Sequence, residues 1–362
     1  MTYAVERVRE GVVPGFEAEV IGTDPRVDRR LPAVAEAVVP FYPGLMVGVP
    51  SIPDLVETLS VGRYDLIHLT APGPAGLGAA LAARIAGIPL VASHHTELDA
   101  YAALRADDPR LAAAMRTVMA RVYRDSRRVL SPSSAADRSL EALGVDPERL
   151  VRWERGVDAH LFHPAHRDPG AFPGEIKALY AGRVAREKGI ELLAAVVEAA
   201  RERDPRLHLL VAGGGPEEEW LRERLGPAAT FLGWLDRPQL ARAYASSDLF
   251  LFCSTTDTYG QVIGEAQASG LAVVAVDAGG PAELIEHRRT GWLCAPDTDE
   301  LAAAVAQLAA SRFLRARIAA GAREAVRGRS WEASLDQLAG AYARALGGGA
   351  RARRPAAEQR VA

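Results

Sequence analysis

Short apolar runs alternate with longer amphipathic stretches along most of the chain. The runs have the length of single strands, and the stretches between them repeat apolar residues at helical spacing. This alternation predicts α/β structure with parallel, doubly wound sheets and helices on both faces. Because 362 residues exceed one ordinary core, we predict two Rossmann-like domains with a cleft between their carboxyl-end edges.

The predicted elements fall in two sets. In the first half, strands are predicted near residues 19–22, 65–69, 89–93, 128–130 and 150–153, and helices near 52–60, 75–86, 109–125 and 135–143. In the second half, strands are predicted near residues 176–181, 207–212, 229–232, 248–252, 272–276 and 291–294. The last amphipathic helices are predicted near residues 299–309, 311–327 and 331–345.

A proline- and histidine-rich stretch, His163–Gly170, separates the two sets of elements. Its apolar residues repeat neither at helical nor at strand spacing. We place the domain boundary there, which gives an N-terminal domain over residues 1–163 and a C-terminal domain over residues 171–328. Residues 329–346 carry the final helix. Residues 347–362 are rich in glycine and arginine and are predicted to be disordered.

Charge, cysteine content and the lack of long apolar segments argue against several classes of protein. The 43 basic and 46 acidic residues give a net charge of −3, so charge offers no argument for nucleic acid binding. Cys253 and Cys294 are isolated in apolar contexts and are predicted to be buried free thiols, which favours a reducing compartment. No stretch resembles a membrane span or an apolar signal region. We expect a cytoplasmic protein, at most peripheral on the inner face of a membrane.

One basic cluster bears on that membrane expectation. Arg116, Arg121, Arg124 and Arg128 recur at spacings that place several of them on one helix face. Such a face is usually solvated. In a protein that modifies lipid head groups it could instead contact an anionic membrane surface.

Two carboxylates, Asp257 and Glu265, flank a glycine turn that predicts a strand-to-helix connection. The backbone N–H groups near Gly260 would form the positive end of the following helix, which is a site for anions. Glu265 stands in an apolar segment and therefore needs a buried partner, for which a ribose diol is suitable. The pattern predicts a site for a phosphorylated, polyhydroxylated ligand; the alternative is that Asp257 only caps the helix.

A second strand-to-helix turn carries two cations, Arg183 and Lys188. Only Lys177 and Lys188 are lysines among the 43 basic residues. Because a lysine presents a compact, rotatable charge, Lys188 suits a phosphate, and Arg183 could reach the same anion. The alternative is a solvated helix start.

His95 follows the predicted strand over residues 89–93, at the sheet edge where doubly wound folds bind ligands. A lone histidine is more often structural, and we expect that role for His94. The acidic pair Asp297 and Asp299 precedes a helix and is better explained by capping than by metal ligation. No histidine or cysteine pair has metal-ligand spacing, so no metal is predicted.

These features together resemble the family 4 glycosyltransferases of the GT-B fold. Members carry an acidic residue followed after seven residues by a glutamate, as in Asp257 and Glu265, and an arginine with a lysine five residues later, as in Arg183 and Lys188. The likeness runs from about residue 3 to about residue 345. Other matching segments are Ser93–Thr96, Arg155–Asp158, Ala212–Pro216 and Phe231–Trp234. Those most similar to bacterial mannosyltransferases that act on lipid or glycolipid acceptors are Tyr42-Pro43, His68–Thr70 and His95–Glu97.

The resemblance implies transfer of a hexose, expected to be mannose, from a nucleotide diphosphate sugar to a lipid or glycan hydroxyl. It implies retention of anomeric configuration, no metal, and a donor that is GDP-mannose or a UDP-sugar. Catalytic roles are implied for Arg183, Lys188, His95 and Asp257. Donor-binding roles are implied for Gly182, Gly214, Leu235, Gly260, Gln261, Val262 and Glu265.

The resemblance also implies features at both ends of the chain. The final helix is expected to cross back onto the first domain. Relatives begin with an apolar strand and a glycine-rich loop that this sequence lacks, so we expect either a start upstream of Met1, which we favour, or an impaired product. The alternatives to transfer are a nucleotide-sugar epimerase on the same fold and an inactive nucleotide-binding chain.

Overall fold

The computed structural model describes residues 3–38, 46–71, 73–95, 109–347 and 359–361. The quoted segments Tyr42-Pro43 and Thr96-Glu97 lie outside these ranges. Contacts divide the chain into unit 1, comprising Met1–Arg155 and Trp331–Ala362, and unit 2, comprising Gly156–Ser330. Each unit carries helices and a parallel sheet, which confirms the predicted fold class.

Unit 1 is built from short strands and six helices in its described part. Its strands are β1 (Phe16–Ala18), β2 (Ile21–Gly22), β3 (Arg29–Arg30), β4 (Ala33–Val38), β5 (Met46–Pro50), β6 (Ile67–Leu69), β7 (Leu90–Ser93), β8 (Arg128–Ser131), β9 (Leu150–Arg152) and, from the C-terminal part, β16 (Gln359–Val361). Its helices are α1 (Tyr3–Glu10), α2 (Ile52–Gly62), α3 (Pro74–Ala86), α4 (Pro109–Asp125), α5 (Ser134–Ala142) and α13 (Trp331–Leu346).

The main sheet of unit 1 has the parallel order β6-β7-β8-β9. One face packs on α13, where Leu338 and Tyr342 join Val91 and Leu130 in a buried cluster. The remaining strands form pairs: β2 with β3 in parallel, and β4 with β5 antiparallel. The sequence did not predict the β4–β5 pair.

The short strand β16 lies within residues 347–362, the tail predicted to be disordered. It pairs in parallel with β1, and Val361 also forms a parallel bridge with Leu66, next to β6. The backbone N–H of Glu19 donates to the Val361 carbonyl at 2.9 Å. Val361 is 3% exposed and packs in the same cluster as Tyr342. Because the tail is polar in composition, the sequence does not indicate that this one valine is buried. The residues that it packs against lie far away in sequence.

Unit 2 has longer and more regular elements. Its strands are β10 (Ile176–Ala181), β11 (Leu207–Ala212), β12 (Ala229–Gly233), β13 (Leu249–Phe252), β14 (Ala272–Val276) and β15 (Trp292–Cys294). Its helices are α6 (Ile190–Arg203), α7 (Glu218–Leu225), α8 (Arg237–Ala245), α9 (Gln261–Ala268), α10 (Gly279–Ala282), α11 (Thr298–Ala310) and α12 (Arg312–Val326).

The sheet of unit 2 is fully parallel, in the order β12-β11-β10-β13-β14-β15. Apolar clusters cover both of its faces, as its nearly continuous apolar strands predict. The strand order reverses between β10 and β13, which lie side by side. Loops that leave the carboxyl ends of two such strands diverge and open a ligand-binding position, the topological switch point.

The contact boundary falls at Arg155, earlier than the predicted boundary at residue 163. Val157 and Phe162 are buried in the core of unit 2, so the segment that contains them belongs to that unit. Both cysteines are buried and free, as predicted. The Asp297 side chain accepts from the Glu300 N–H, which confirms the predicted cap. In the described part of the chain, no helix has the length and apolarity needed to span a bilayer.

Candidate active site

The loop after β10 carries a buried ion pair. Arg183 Nη2 donates to Glu187 Oε1 at 3.0 Å, and the Glu187 side chain is fully buried whereas that of Arg183 is 17% exposed. Burial lowers the pKa of Arg183 from its usual value, and Glu187 opposes that shift. Tyr180 Oη donates to the Arg183 carbonyl at 2.6 Å and holds the loop backbone. Arg183 is therefore a fixed cation with its counter-ion behind it.

Lys188 in the same loop meets Asp257 from the loop after β13. Lys188 Nζ lies 2.8 Å from Asp257 Oδ2, and both side chains are 21% exposed. Ser254 Oγ and Thr256 Oγ1 both donate to the Glu187 carbonyl, at 3.0 and 2.8 Å. These bonds join the two loops at the switch point, so residues separated by about 70 positions in sequence act at one place.

Glycines let the backbone close up around these loops. Gly189 has φ of 70°, and a Cβ there would meet the Cys253 carbonyl oxygen at 2.1 Å. A Cβ on Gly213 would meet the Gly182 carbonyl oxygen at 2.0 Å. The loops after β10 and β11 therefore require glycine for this approach. The predicted residue Gly182 needs glycine for a different reason, because its φ is 148°.

Helix α9 begins directly after Gly260, whose φ is 83°. No side chain caps this helix start, and the Ile263 N–H donates to the Gly260 carbonyl at 2.9 Å. The alternative that Asp257 caps the helix is thus wrong; its carboxylate binds Lys188. Gln261 Nε2 donates to the Gly156 carbonyl at 2.9 Å, and Val262 packs against the apolar core beside it.

Glu265 lies in the second turn of α9 and is 4% exposed. Tyr244 Oη donates to Glu265 Oε2 at 3.4 Å, and Arg237 Nη1 lies 3.8 Å from Glu265 Oε1. Burial raises the pKa of Glu265 to about 7, while Arg237 and Tyr244 act in the opposite direction. This carboxyl group can therefore change its charge near neutral pH.

Two other predicted donor residues lie around the same sheet edge. Gly214 follows β11, and a Cβ there would come within 3.0 Å of Glu218 Oε2 and Trp234 Nε1. Leu235 follows β12 and is partly buried against the core. Both lie at carboxyl ends of strands, as do Arg183 and Asp257.

His95 lies in unit 1, two residues beyond β7, and is half-buried. Arg155 Nη2 donates to His95 Nδ1, and the Arg155 guanidinium stacks 4.2 Å above the Trp153 ring. Desolvation and the Arg155 charge, followed by His68 and His94, hold the pKa of His95 well below its usual range. His95 is therefore neutral at physiological pH.

The neighbouring histidines have packing partners. His68 Nδ1 contacts Tyr342 Oη at 2.8 Å, its Nε2 contacts Ser93 Oγ, and burial lowers its pKa to about 3. His94 is buried, with Nδ1 3.1 Å from Tyr123 Oη. The structural role predicted for His94 agrees with this burial.

Four residues at these sites were missed by the sequence analysis, namely Glu187, Arg237, Tyr244 and Arg155. Glu187 could have been found from its position four residues after Arg183. Arg155 lies in the matching segment Arg155–Asp158, but the sequence analysis gave it no role. Arg237 and Tyr244 reach Glu265 from another helix, which no spacing rule reveals. Within the described residues, no group of three or more histidine, cysteine or acidic side chains could hold a metal ion.

Comparison with known proteins identifies the family. Residues 175–311 match the profile described as glycosyl transferases group 1. Residues 2–161 match the profile described as glycosyltransferase family 4. Together these matches cover most of both units.

Relatives matched over most of this chain support the same family. A GDP-mannose-dependent alpha-mannosyltransferase of Mycobacterium tuberculosis is 35% identical, over 91% of this chain and 88% of that protein. A protein of the same name from Corynebacterium glutamicum is 34% identical, over 87% of this chain and 75% of that protein. The sulfoquinovosyl transferase SQD2 of Arabidopsis thaliana is 30% identical, over 92% of this chain and 65% of that protein.

Solved structures agree on the fold. Sucrose-phosphate synthase from Thermosynechococcus elongatus superposes with a TM-score of 0.70 at 23% identity, covering 91% of this chain and 88% of that one. Anabaena HepE in complex with UDP and glucose superposes with a TM-score of 0.69 at 23% identity, covering 81% and 80%. With two Rossmann-like units and relatives matched over most of their length, the chain belongs to the family 4 glycosyltransferases of the GT-B fold.

Proposed function

We propose that this glycosyltransferase moves mannose from GDP-mannose to a hydroxyl group of a lipid or glycan acceptor, with retention of anomeric configuration. Two relatives named as GDP-mannose-dependent alpha-mannosyltransferases support this choice of sugar and base. The observation that carries the proposal is structural. Two cations, Arg183 and Lys188, are held by acids at the switch point of unit 2.

These cations suit a departing diphosphate. Negative charge develops on the leaving group, and fixed cations that need no reorganisation stabilise such a transition state. Arg183 keeps its buried partner Glu187, which fixes the direction of the guanidinium. Lys188 and Asp257 are more exposed, so Lys188 can bind a phosphate oxygen while Asp257 accepts a hydroxyl hydrogen of the donor sugar.

The nucleoside half of the donor would lie against α9 and the ends of β11 and β12. Glu265 is the acceptor for the ribose hydroxyls, with Tyr244 and Arg237 fixing its carboxylate. Gly260, Gln261 and Val262 present the uncapped helix start to the diphosphate. Gly214 and Leu235 provide backbone and an apolar surface for the rest of the nucleotide.

His95 would contact the transferred sugar from unit 1. A neutral imidazole can bind a hydroxyl group without adding charge to the site. Transfer with retention then requires no covalent residue when the leaving diphosphate and the incoming hydroxyl share one face of the sugar. Because Arg183 and Lys188 supply the positive charge, we propose that the reaction is independent of metal ions.

A lipid acceptor is supported by an apolar cavity of about 720 Å³ between α3 and α4. Leu77, Leu81 and Ile85 follow one face of α3, and the last two are 50% and 66% exposed. Arg84 and Arg121 line or flank the cavity, both near Asp125. Apolar side chains framed by arginines suit an anionic membrane, so we propose peripheral association through this surface.

A donor panel tests the transfer. Purified protein is incubated with GDP-mannose, GDP-glucose, UDP-glucose and UDP-galactose, with and without a membrane lipid extract, and the released diphosphate and the glycosylated lipid are measured. We expect release from GDP-mannose above the other donors, increased by the extract. The product anomer is assigned by NMR. An epimerised sugar nucleotide, or equal turnover of all donors, would contradict the proposal.

Variants and additives link turnover to the site. Arg183→Ala should lower kcat about 100- to 1000-fold, the loss typical of removing one hydrogen-bond donor that stabilises transition-state charge. The matched control is Arg186→Ala in the same loop, whose side chain is 65% exposed and pairs with Glu217. A chelator should leave turnover unchanged. Vesicles with anionic lipid should bind the protein in a salt-sensitive manner, and neutral vesicles should not.

A further inference from the structure

Arg155 occupies an unusual position for an arginine. It lies beyond β9 at the end of the first segment of unit 1 and is only 8% exposed. Its guanidinium stacks on the Trp153 ring and donates to His95 Nδ1. Trp153 is itself fixed, because its Nε1 donates to Ser334 at 3.1 Å. Arg155 thus has little freedom to turn away from His95.

The chemistry of this contact fixes the proton on His95. A guanidinium has only donors and keeps its charge in proteins, so the nitrogen that faces it must be an acceptor. His95 Nδ1 therefore carries a lone pair and no hydrogen. A neutral imidazole has one N–H, which must then be at Nε2. The positive charge of Arg155 also disfavours a second proton on the ring.

The described titratable groups that act on the ring do so in one direction. Arg155, His68 and His94 all lower the pKa of His95. His68 is itself neutral, because its pKa lies at about 3. His94 is buried against Tyr123. The neutral state of His95 therefore extends well below neutral pH.

We propose that Arg155 is a positioning residue that locks His95 in the neutral Nε2–H tautomer, so that His95 acts on the sugar as a hydrogen-bond donor and never as a base. The part concerning the sugar rests on the proposed function. In the usual catalytic arrangement a carboxylate accepts from Nδ1–H, which leaves Nε2 free to take a proton. Here the partner is a cation and the arrangement is inverted. His95 cannot accept the proton of the acceptor hydroxyl, since Nε2 is already protonated and the Nδ1 lone pair faces Arg155.

The tautomer can be observed directly. The full chain is labelled with ¹⁵N-histidine, and long-range ¹H–¹⁵N correlation spectra are recorded without substrate from about pH 5 to pH 8. His95→Gln assigns the signals. We expect an unprotonated Nδ1 and a protonated Nε2 on His95, unchanged across this range. An Nδ1–H pattern, or titration near the ordinary pKa of about 6.5, would overturn the proposal.

Variants test whether Arg155 is the cause. Arg155→Met should bring the His95 signals toward a tautomer mixture and restore a titration, whereas Arg155→Lys, which keeps a donor and a charge, should retain part of the wild-type pattern. Arg152→Met on β9 is the control, because Arg152 pairs with Asp137 and should leave His95 unchanged. Wild-type His95 signals in Arg155→Met would refute the assignment to Arg155. The wild-type spectrum decides the tautomer even where Arg155→Met does not fold.

The turnover of Arg155→Met gives a test that is separate from the spectra. In Arg155→Met, kcat should fall about ten- to a hundredfold, as expected for a displaced charged hydrogen bond, and an acidic limb should appear near the restored His95 pKa. The KM for donor should change less, since Arg155 lies in unit 1. If the expected donor is not turned over but the spectra hold, the proposed function fails and the tautomer assignment stands. If the spectra fail, the inference fails whatever the substrate.

Discussion

The two units organise their sheets in different ways. In unit 2, the six strands β10 to β15 come from one continuous segment, and each is covered by helices from the same segment. In unit 1, four consecutive strands form the main sheet, but β16 from the far end of the chain joins β1 and Leu66. The difference shows that a local apolar pattern locates strands that carry an apolar run, and misses a short strand such as β16 that depends on a distant partner.

The candidate sites of the two units also differ, in how their cations are compensated. In unit 2, acids compensate the cations: Glu187 holds Arg183 and Asp257 holds Lys188. In unit 1, Arg155 stacks on Trp153 and donates to a neutral imidazole. Unit 2 therefore offers paired charges that suit an anionic ligand. Unit 1 instead offers an imidazole whose charge is suppressed.

The largest effect is expected on breaking the buried pair of unit 2. Glu187→Ala leaves the Arg183 charge uncompensated in a site where the Glu187 side chain was fully buried. Removing one member of a buried pair costs about 3 to 5 kcal/mol of unfolding free energy. Donor turnover should also fall, because Arg183 loses its orientation. Chemical denaturation and the donor assay measure the two effects.

A surface pair of equal spacing provides the control. Glu218 and Arg222 also form an i,i+4 pair, at 2.8 Å, but their side chains are 31% and 56% exposed. Glu218→Ala should change stability by less than about 1 kcal/mol. Equal losses in the two variants would mean that burial does not separate the pair at the site from an ordinary helix pair.

The charge of Glu265 should give unit 2 two opposite pH dependences. Its pKa rises from the usual 4.5 to about 7 on folding, so the folded state binds a proton more tightly between those values. Its contribution to stability is therefore greatest below pH 4.5 and falls by about 3 kcal/mol as pH rises to 7. Donor binding should follow the opposite direction, since the ribose hydroxyls require the ionised acceptor. Affinity should be about tenfold weaker at pH 6 than at pH 8.

Glu265→Gln isolates both effects. Its difference from wild type in denaturant unfolding should shrink as pH falls, and its donor affinity by calorimetry should be flat across the same range. A wild-type affinity that does not change between about pH 6 and pH 8 would show that Glu265 is not the ribose acceptor.

An intermediate effect is expected where unit 1 depends on the C-terminal strand. Val361→Ala removes buried side-chain volume beside Leu66 and Tyr342 and should lower the unfolding free energy of unit 1 by about 2 kcal/mol. Val61→Ala, at a position 71% exposed on α2, should change it by less than about 0.5 kcal/mol. GDP binding to unit 2 should stay at the wild-type value. Equal stability of the two variants would mean that β16 does not support the sheet.

The sequence predicted the fold to different depths in the two units. All six strands of unit 2 match predicted runs. Most of them are buried on both faces and so leave continuous apolar segments, whereas the edge strand β12 is only half-buried. Strand β16 carries one buried valine in a tail of polar composition. Its pairing depends on β1 and Leu66, which are distant in sequence, so no local pattern predicts it. The boundary at Arg155 was missed because Val157 and Phe162 are core residues in a segment that reads as a loop.

The site followed the same rule. Arg183, Lys188, Asp257 and Glu265 lie on strand-to-helix turns, which apolar runs locate and which parallel topology brings to one edge. The side chains that fix Glu265, those of Tyr244 and Arg237, come from α8 and meet Glu265 through tertiary packing. Side-chain direction across elements depends on tertiary packing, which the sequence pattern does not contain.

The smallest expected effect compares two tyrosine hydroxyls, one in each unit. Tyr244 donates to Glu265 at 3.4 Å and thereby favours the ionised carboxyl group. Tyr244→Phe should raise the pH midpoint of donor affinity by a fraction of a unit, since so long a bond is worth about 1 kcal/mol or less. Tyr342→Phe removes a hydroxyl that lies 2.8 Å from His68 and should leave that midpoint unchanged. Affinity titrations of both variants give the measurement. A shift of equal size in both would show that the charge of Glu265 is not set locally within unit 2.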